Sequence, residues 1–112
     1  MSTVTSWNIE RVWGEDNFYN DGDIAEDKYA FVIDSGVTKL DDLNINEQWS
    51  KSFLSNSLDQ DPFEDFVSHG TAVASIIGAK NNNEGLVGVA PGTQIVSLKV
   101  FGQYSTTNTS TV

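Results

Sequence analysis

Apolar positions in this chain gather into three short runs with long polar stretches between them. The first, Tyr29-Ala30-Phe31-Val32-Ile33, is continuous and strand-forming. Such a run predicts a parallel strand buried on both faces. The second follows Ser68-His69-Gly70-Thr71 and is apolar and small-residued through Ser75-Ile76-Ile77-Gly78. It predicts a helix from His69 to about Gly78. The third, Gln94-Ile95-Val96-Ser97-Leu98-Lys99-Val100, predicts another strand, ended by Phe101-Gly102. A helix between two apolar strands is a βαβ unit, whose crossover is right-handed. The pattern therefore predicts an α/β fold with a parallel sheet.

The rest of the chain is weaker in pattern. Residues 2–14 read as a mostly polar leading segment that Trp7, Ile9, Val12 and Trp13 could anchor. Residues 15–27 form an acidic loop in which no known calcium-loop spacing occurs, so a solvated surface loop is expected. Lys39 to Leu43 continues the loop after the first strand. From Gln48 to Phe53, Trp49, Lys51 and Phe53 alternate with polar residues, which predicts a short strand at a sheet edge. Leu54 to Asp61 reads as a polar loop, and Pro62 disfavours helix at Asp61. Residues 102–112 are polar, with a helix-start signal at Ser105-Thr106-Thr107-Asn108. A parallel sheet needs helices on both faces. One helix cannot cover Val32, Ile33, Ile95, Val96 and Leu98, so an apolar patch is expected.

Composition narrows the partners. With 16 Asp and Glu against 6 Lys and Arg, the net charge is -10. That argues against nucleic acid and anionic membrane surfaces. No apolar run approaches a membrane span. Residues 2–6 carry no secretory signal pattern, and the compartment stays open. The absence of cysteine excludes disulfides and thiolate metal sites. A length of 112 residues suits one domain.

Two residues carry candidate chemistry. His69 is the single histidine and stands in the first turn of the predicted helix. Imidazole is suited to moving protons near neutral pH. Asp34 ends the first strand, where open α/β sheets place their sites. Taken alone, Asp34-Ser35-Gly36 also reads as a turn, and His69 as the polar start of a buried helix.

Taken together, the motifs say more. Asp34-Ser35-Gly36, then Ser68-His69-Gly70-Thr71-Ala72-Val73-Ala74, then Gly88-Val89-Ala90-Pro91 resemble the subtilisin-like serine proteases (subtilases, peptidase family S8). Trp7-Asn8-Ile9-Glu10-Arg11-Val12 and Pro62-Phe63-Glu64-Asp65 are similar to the segments before that family's first strand and before its histidine. The resemblance implies a partial subtilisin-like three-layer fold. Residues 1–112 would be the N-terminal portion of the peptidase domain, with residues 1–28 a leading segment and acidic loop and residues 29–112 the catalytic-domain fragment.

The implied activity is serine-type endopeptidase through an Asp-His-Ser triad, on peptide or protein substrates. Asp34 would orient His69, and His69 would be the base. Ser75, Ser97, Ser105 and Ser110 stand outside any Gly-Thr-Ser-Met-Ala-like context, and no oxyanion asparagine is recognisable. The serine is therefore expected from a C-terminal portion of the domain, on the same or a second chain. The alternative is a non-catalytic binding or structural protein that keeps the scaffold. The resemblance also implies that Phe101, Gly102 and Tyr104 form an edge pairing with substrate. Asp65 would lie beside the subsite for the substrate residue two before the cut, or else simply stabilise the helix start. Finally, it implies a structural calcium ion held by Asp42, the Asn82 side chain and the carbonyls of Lys80, Glu84 and Leu86. The family often adds a glutamine near the N-terminus, where Ser2 or Thr3 stands here, and a plain surface loop is the other reading. Members of the family are often extracellular.

Overall fold

The computed structural model describes residues 6–13, 22–82 and 85–103. Its sheet is built around strand β4 (Gln94–Lys99), the third apolar run of the sequence. Strand β1 (Tyr29–Asp34) pairs with β4 in parallel along its whole length, from Tyr29 opposite Gln94 to Asp34 opposite Lys99. The other edge of β4 carries two short parallel pieces, β2 (Asn44–Ile45) at its start and β3 (Lys51–Ser52) at its end. The expected edge strand over Gln48–Phe53 is therefore a broken one that begins earlier. Asn46 causes the break: its side-chain oxygen accepts from the Trp49 N–H and its carbonyl from the Ser50 hydroxyl. Such local bonds compete with a ladder. In the gap the Ser50 hydroxyl accepts from the Ser97 N–H at 2.9 Å, so the central strand keeps a partner there.

Helix α2 (His69–Gly78) packs on one face of this sheet, as the sequence predicts. Ala74 of the helix meets Val32, Val37, Leu43 and Ile95 in the main core. The opposite face of β1 is open. Tyr29, Phe31 and Ile33 are each about half exposed there, and the Trp49 ring stacks on Tyr29 at 4.9 Å. The expectation that β1 is buried on both faces is thus corrected to one, because α2 covers a single side. The expected apolar patch is present but smaller than foreseen, since Val32, Ile95 and Val96 are buried.

Two further elements escaped the pattern. Helix α1 (Trp7–Trp13) lies in the segment read as polar. Its Ile9 and Trp13, four residues apart, share a face and pack with Val87, while the Trp13 indole donates to the Val89 carbonyl at 2.9 Å. Trp7 and Val12 are exposed, so two of the expected four anchors are buried. A 3₁₀ turn over Ser57–Asp59 is capped by Asn56, whose side chain accepts from the Leu58 N–H. No helix among the described residues is long and apolar enough to cross a membrane.

Candidate active site

The end of β1 and the start of α2 meet backbone to backbone. A Cβ on Gly70 would lie 2.1 Å from the Gly36 carbonyl oxygen, so no larger residue fits without moving strand or helix. Gly36 itself has φ of +103°, a region open chiefly to glycine. Ser68 takes a left-handed conformation, φ 66°, and turns the chain so that His69 becomes the first helical residue. A non-glycine residue there carries local strain, a feature that gathers at functional sites.

This contact delivers the two candidate residues to each other. His69 Nδ1 lies 2.9 Å from Asp34 Oδ2 and 3.0 Å from Oδ1, although 35 positions separate them in sequence. The Asp34 side chain is only 16% exposed, whereas that of His69 is 67% exposed. The carboxylate is sheltered and the ring is open to a substrate. The Ser35 N–H donates to Asp34 Oδ1 at 2.7 Å and fixes the carboxylate plane. With its Nδ1–H given to Asp34, the ring keeps a lone pair on Nε2 to accept a proton.

Asp65 holds the helix start. Its carboxylate accepts from the Ser68 N–H, the Thr71 N–H, the Thr71 hydroxyl and the Ser35 hydroxyl, at 2.6–2.9 Å. The Ser68 side chain makes no cap, so Asp65 does that work from three residues upstream. Burial alone would raise the Asp65 pKa, but the bonds from Ser35, Thr71 and Ser68 outweigh it and hold the pKa below its ordinary value. A depressed folded-state pKa contributes stability above the unfolded-state value, and that stability is lost as pH falls through the folded value. Melting temperature is therefore expected to drop on acidification through the carboxylate range, and Asp65→Asn to flatten that drop. An Asp65→Asn variant with the parent's acid slope would contradict this assignment.

Behind Asp65 sits Lys99, fully buried on β4. Its Nζ donates to the carbonyls of Glu64 at 2.7 Å and Asp61 at 3.2 Å, and lies 5.3 Å from the Phe66 ring centre. Neither Lys99 nor the linking role of Ser35 is visible in the sequence reading. A lone cation in the third apolar run was the available signal for Lys99.

The remaining expected site residues are placed as follows. The N–H groups of Val100 and Phe101 both donate to the Asp34 carbonyl, at 2.8 and 3.3 Å, so the expected substrate edge leaves β4 beside the aspartate. Phe101 is exposed, Gly102 is half-buried, and Tyr104 lies outside the described residues. Among the described serines named as nucleophile candidates, the Ser75 hydroxyl donates to the Thr71 carbonyl and that of Ser97 to the Pro62 carbonyl. Ser105 and Ser110 lie outside the described residues. Asp42 and Asn82 are brought together: the Asn82 amide donates to Asp42 Oδ1 at 3.1 Å, and the Lys80 N–H donates to the Asp42 carbonyl at 2.8 Å. Carboxylate, carboxamide and carbonyl oxygens suit calcium. Leu86 lies in the same loop, and Glu84 is outside the described residues. Among the described residues, no group of three or more His, Cys, Asp or Glu side chains stands close enough to hold a metal by itself.

Known proteins share this arrangement of elements. The model of the subtilase family matches residues 31–112. The minor extracellular protease Epr of Bacillus subtilis (strain 168) is 36% identical over 97 residues, which is 87% of this chain and 14% of that protein. Subtilisin of Bacillus pumilus is 41% identical over 80 residues, 66% of this chain and 28% of that protein. The crystal structure of the psychrophilic subtilisin-like protease Apa1 from the Antarctic psychrotroph Pseudoalteromonas sp. AS-11 superposes with a TM-score of 0.67 at 27% identity. That alignment covers 97% of this chain and 25% of Apa1. The chain thus spans between 14% and 28% of the length of these relatives. The family match takes in β1 from Phe31 onward, helix α2, strand β4 and the paired aspartate and histidine, and on these grounds the chain belongs to the subtilase family.

Proposed function

We propose that this chain supplies the aspartate and histidine of a serine endopeptidase. The observation that carries the reading is the sheltered Asp34 carboxylate within 2.9 Å of His69 Nδ1, with the ring itself exposed. In this reading His69 Nε2 takes the proton of an attacking serine hydroxyl as that oxygen bonds to the scissile carbonyl carbon. Asp34 stabilises the imidazolium so formed. The same proton passes to the leaving amine when the peptide C–N bond breaks, and water then releases the acyl group by the reverse sequence. The serine would come from the remainder of the peptidase domain, on the same or a second polypeptide. The half-exposed Phe31 and Ile33 on the uncovered sheet face favour such a partner, because that face is apolar and lies on the sheet that bears Asp34.

The same reading assigns Asp42, Asn82 and the carbonyls of Lys80, Glu84 and Leu86 to a structural calcium ion, supported by the approach of Asn82 to Asp42. Calcium there would tie the loop after β1 to the loop after α2 and take no part in bond breaking. Adding calcium chloride should then raise the melting temperature. The function itself is tested with the full-length protein and an unfolded protein substrate. Hydrolysis is expected, and phenylmethanesulfonyl fluoride, which sulfonylates an activated serine, should abolish it. Hydrolysis that resists the sulfonyl fluoride would overturn a serine mechanism.

A further inference from the structure

Resting on the dyad reading above, we infer that Ser35 is a positioning residue, whose hydroxyl ties the strand of Asp34 to the helix of His69 and sets their separation. Ser35 is only 2% exposed, so its hydroxyl works inside the protein and not on substrate. The oxygen accepts from the Gly70 N–H at 3.0 Å and donates to Asp65 Oδ1 at 2.6 Å. Asp65 in turn holds the N–H groups of Ser68 and Thr71. Residues 68, 70 and 71 are thus all fastened, directly or through one carboxylate, to a single hydroxyl. His69 lies inside that set, and Asp34 is the covalent neighbour of Ser35. The Ser35 N–H also binds Asp34 Oδ1, so one residue orients the acid and anchors the base.

The consequence is geometric. A helix N-terminus leaves its first N–H groups without partners inside the helix. Gly70 N–H is one of these, and Ser35 is the acceptor that aims it at the strand. Without the hydroxyl, Gly70 loses that acceptor and Asp65 loses one of four donors. The helix start is then free to shift relative to Asp34. Displacements of about 1 Å can cost about 100-fold in rate.

The test uses the full-length protein with a peptide substrate. Ser35→Ala is expected to lower kcat by about 10- to 100-fold while KM stays within about twofold. The low-field proton resonance of the His69 Nδ1–H should move or broaden. Ser97→Ala is the control, because the Ser97 hydroxyl is equally buried but donates to the Pro62 carbonyl, which keeps the Val37 N–H as a second donor at 3.0 Å, so the loop stays held and the helix is not reached. It should lower the melting temperature and leave kcat and the His69 resonance in place. Ser35→Cys fills the same space with a weaker hydrogen-bonding group, and its kcat should also fall, so the test stands if the alanine variant does not fold. Unchanged kcat and an unmoved resonance in the Ser35 variants would overturn the positioning role, provided His69→Ala abolishes hydrolysis. Persisting hydrolysis in His69→Ala would instead overturn the dyad reading beneath it.

Discussion

Asp34→Asn in the full-length protein is expected to lower kcat by about 10⁴-fold with little change in stability. The argument begins with the Ser35 N–H, which donates to Asp34 Oδ1 at 2.7 Å. An asparagine must satisfy that donor with its carbonyl oxygen. Its NH₂ group is then left at the place of Oδ2, 2.9 Å from His69 Nδ1. Two N–H groups repel at that distance, and the oxygen at Oδ1, 3.0 Å from Nδ1, already takes the Ser35 N–H, so Nδ1 becomes the acceptor and the ring proton sits on Nε2. A ring in that tautomer has no lone pair at Nε2 with which to take a proton. The side chains are isosteric, and the backbone bonds from Val100 and Phe101 to the Asp34 carbonyl are untouched. The melting temperature should therefore hold while kcat falls. Steady-state kinetics beside a thermal melt decides it. A variant within tenfold of the parent would show that Asp34 does not set the tautomer of His69.

That prediction uses residues that were legible in the sequence; much of what surrounds them was not. β1, α2 and β4 announce themselves because each is a run of apolar or small residues long enough to show its period. α1 has seven residues and only two buried side chains, too few for a period to emerge. Its stability comes from docking Ile9 and Trp13 on Val87, which is a tertiary fact. β2 and β3 have two residues each and exist because β4 offers an edge. Asp34 and His69 were found by motif, and the motif's glycines are explained by the contact of Gly36 with Gly70. Asp65 was left with two readings; its four hydrogen bonds to Ser35, Ser68 and Thr71 account for the helix start and leave its place beside a substrate subsite untouched. The link from Ser35 to Asp65 spans 30 residues and that from Ser35 to Gly70 spans 35. Nothing local in Asp-Ser-Gly distinguishes a linking serine from a turn serine.

Lys99→Ala is expected to destabilise the protein by about 3–8 kcal/mol. Lys99 is among the largest fully buried side chains, so truncation leaves a cavity, and comparable truncations of long apolar side chains cost about 2–5 kcal/mol. The ammonium also serves the backbone. The Asp61 carbonyl keeps a second donor in the Glu64 N–H, at 3.2 Å. The Glu64 carbonyl depends on Lys99, and leaving it unmet adds about 1–3 kcal/mol. Lys99→Met separates these effects. It keeps most of the stem and removes the ammonium, so its loss should be about 1–3 kcal/mol. Urea unfolding followed by tryptophan fluorescence measures both variants, and a methionine variant as stable as the parent would mean that the two carbonyl bonds contribute nothing net. The effect should also reach the dyad. The loop that Lys99 grips carries Asp65, and Asp65 holds Ser68, Thr71 and Ser35 around His69. A loosened loop lets the helix start drift, so kcat should fall in Lys99→Ala even at temperatures where the protein remains folded. If kcat stays at the parent value there, the grip of Lys99 ends at the loop, and Ser35 and Asp65 hold the histidine to its aspartate without it.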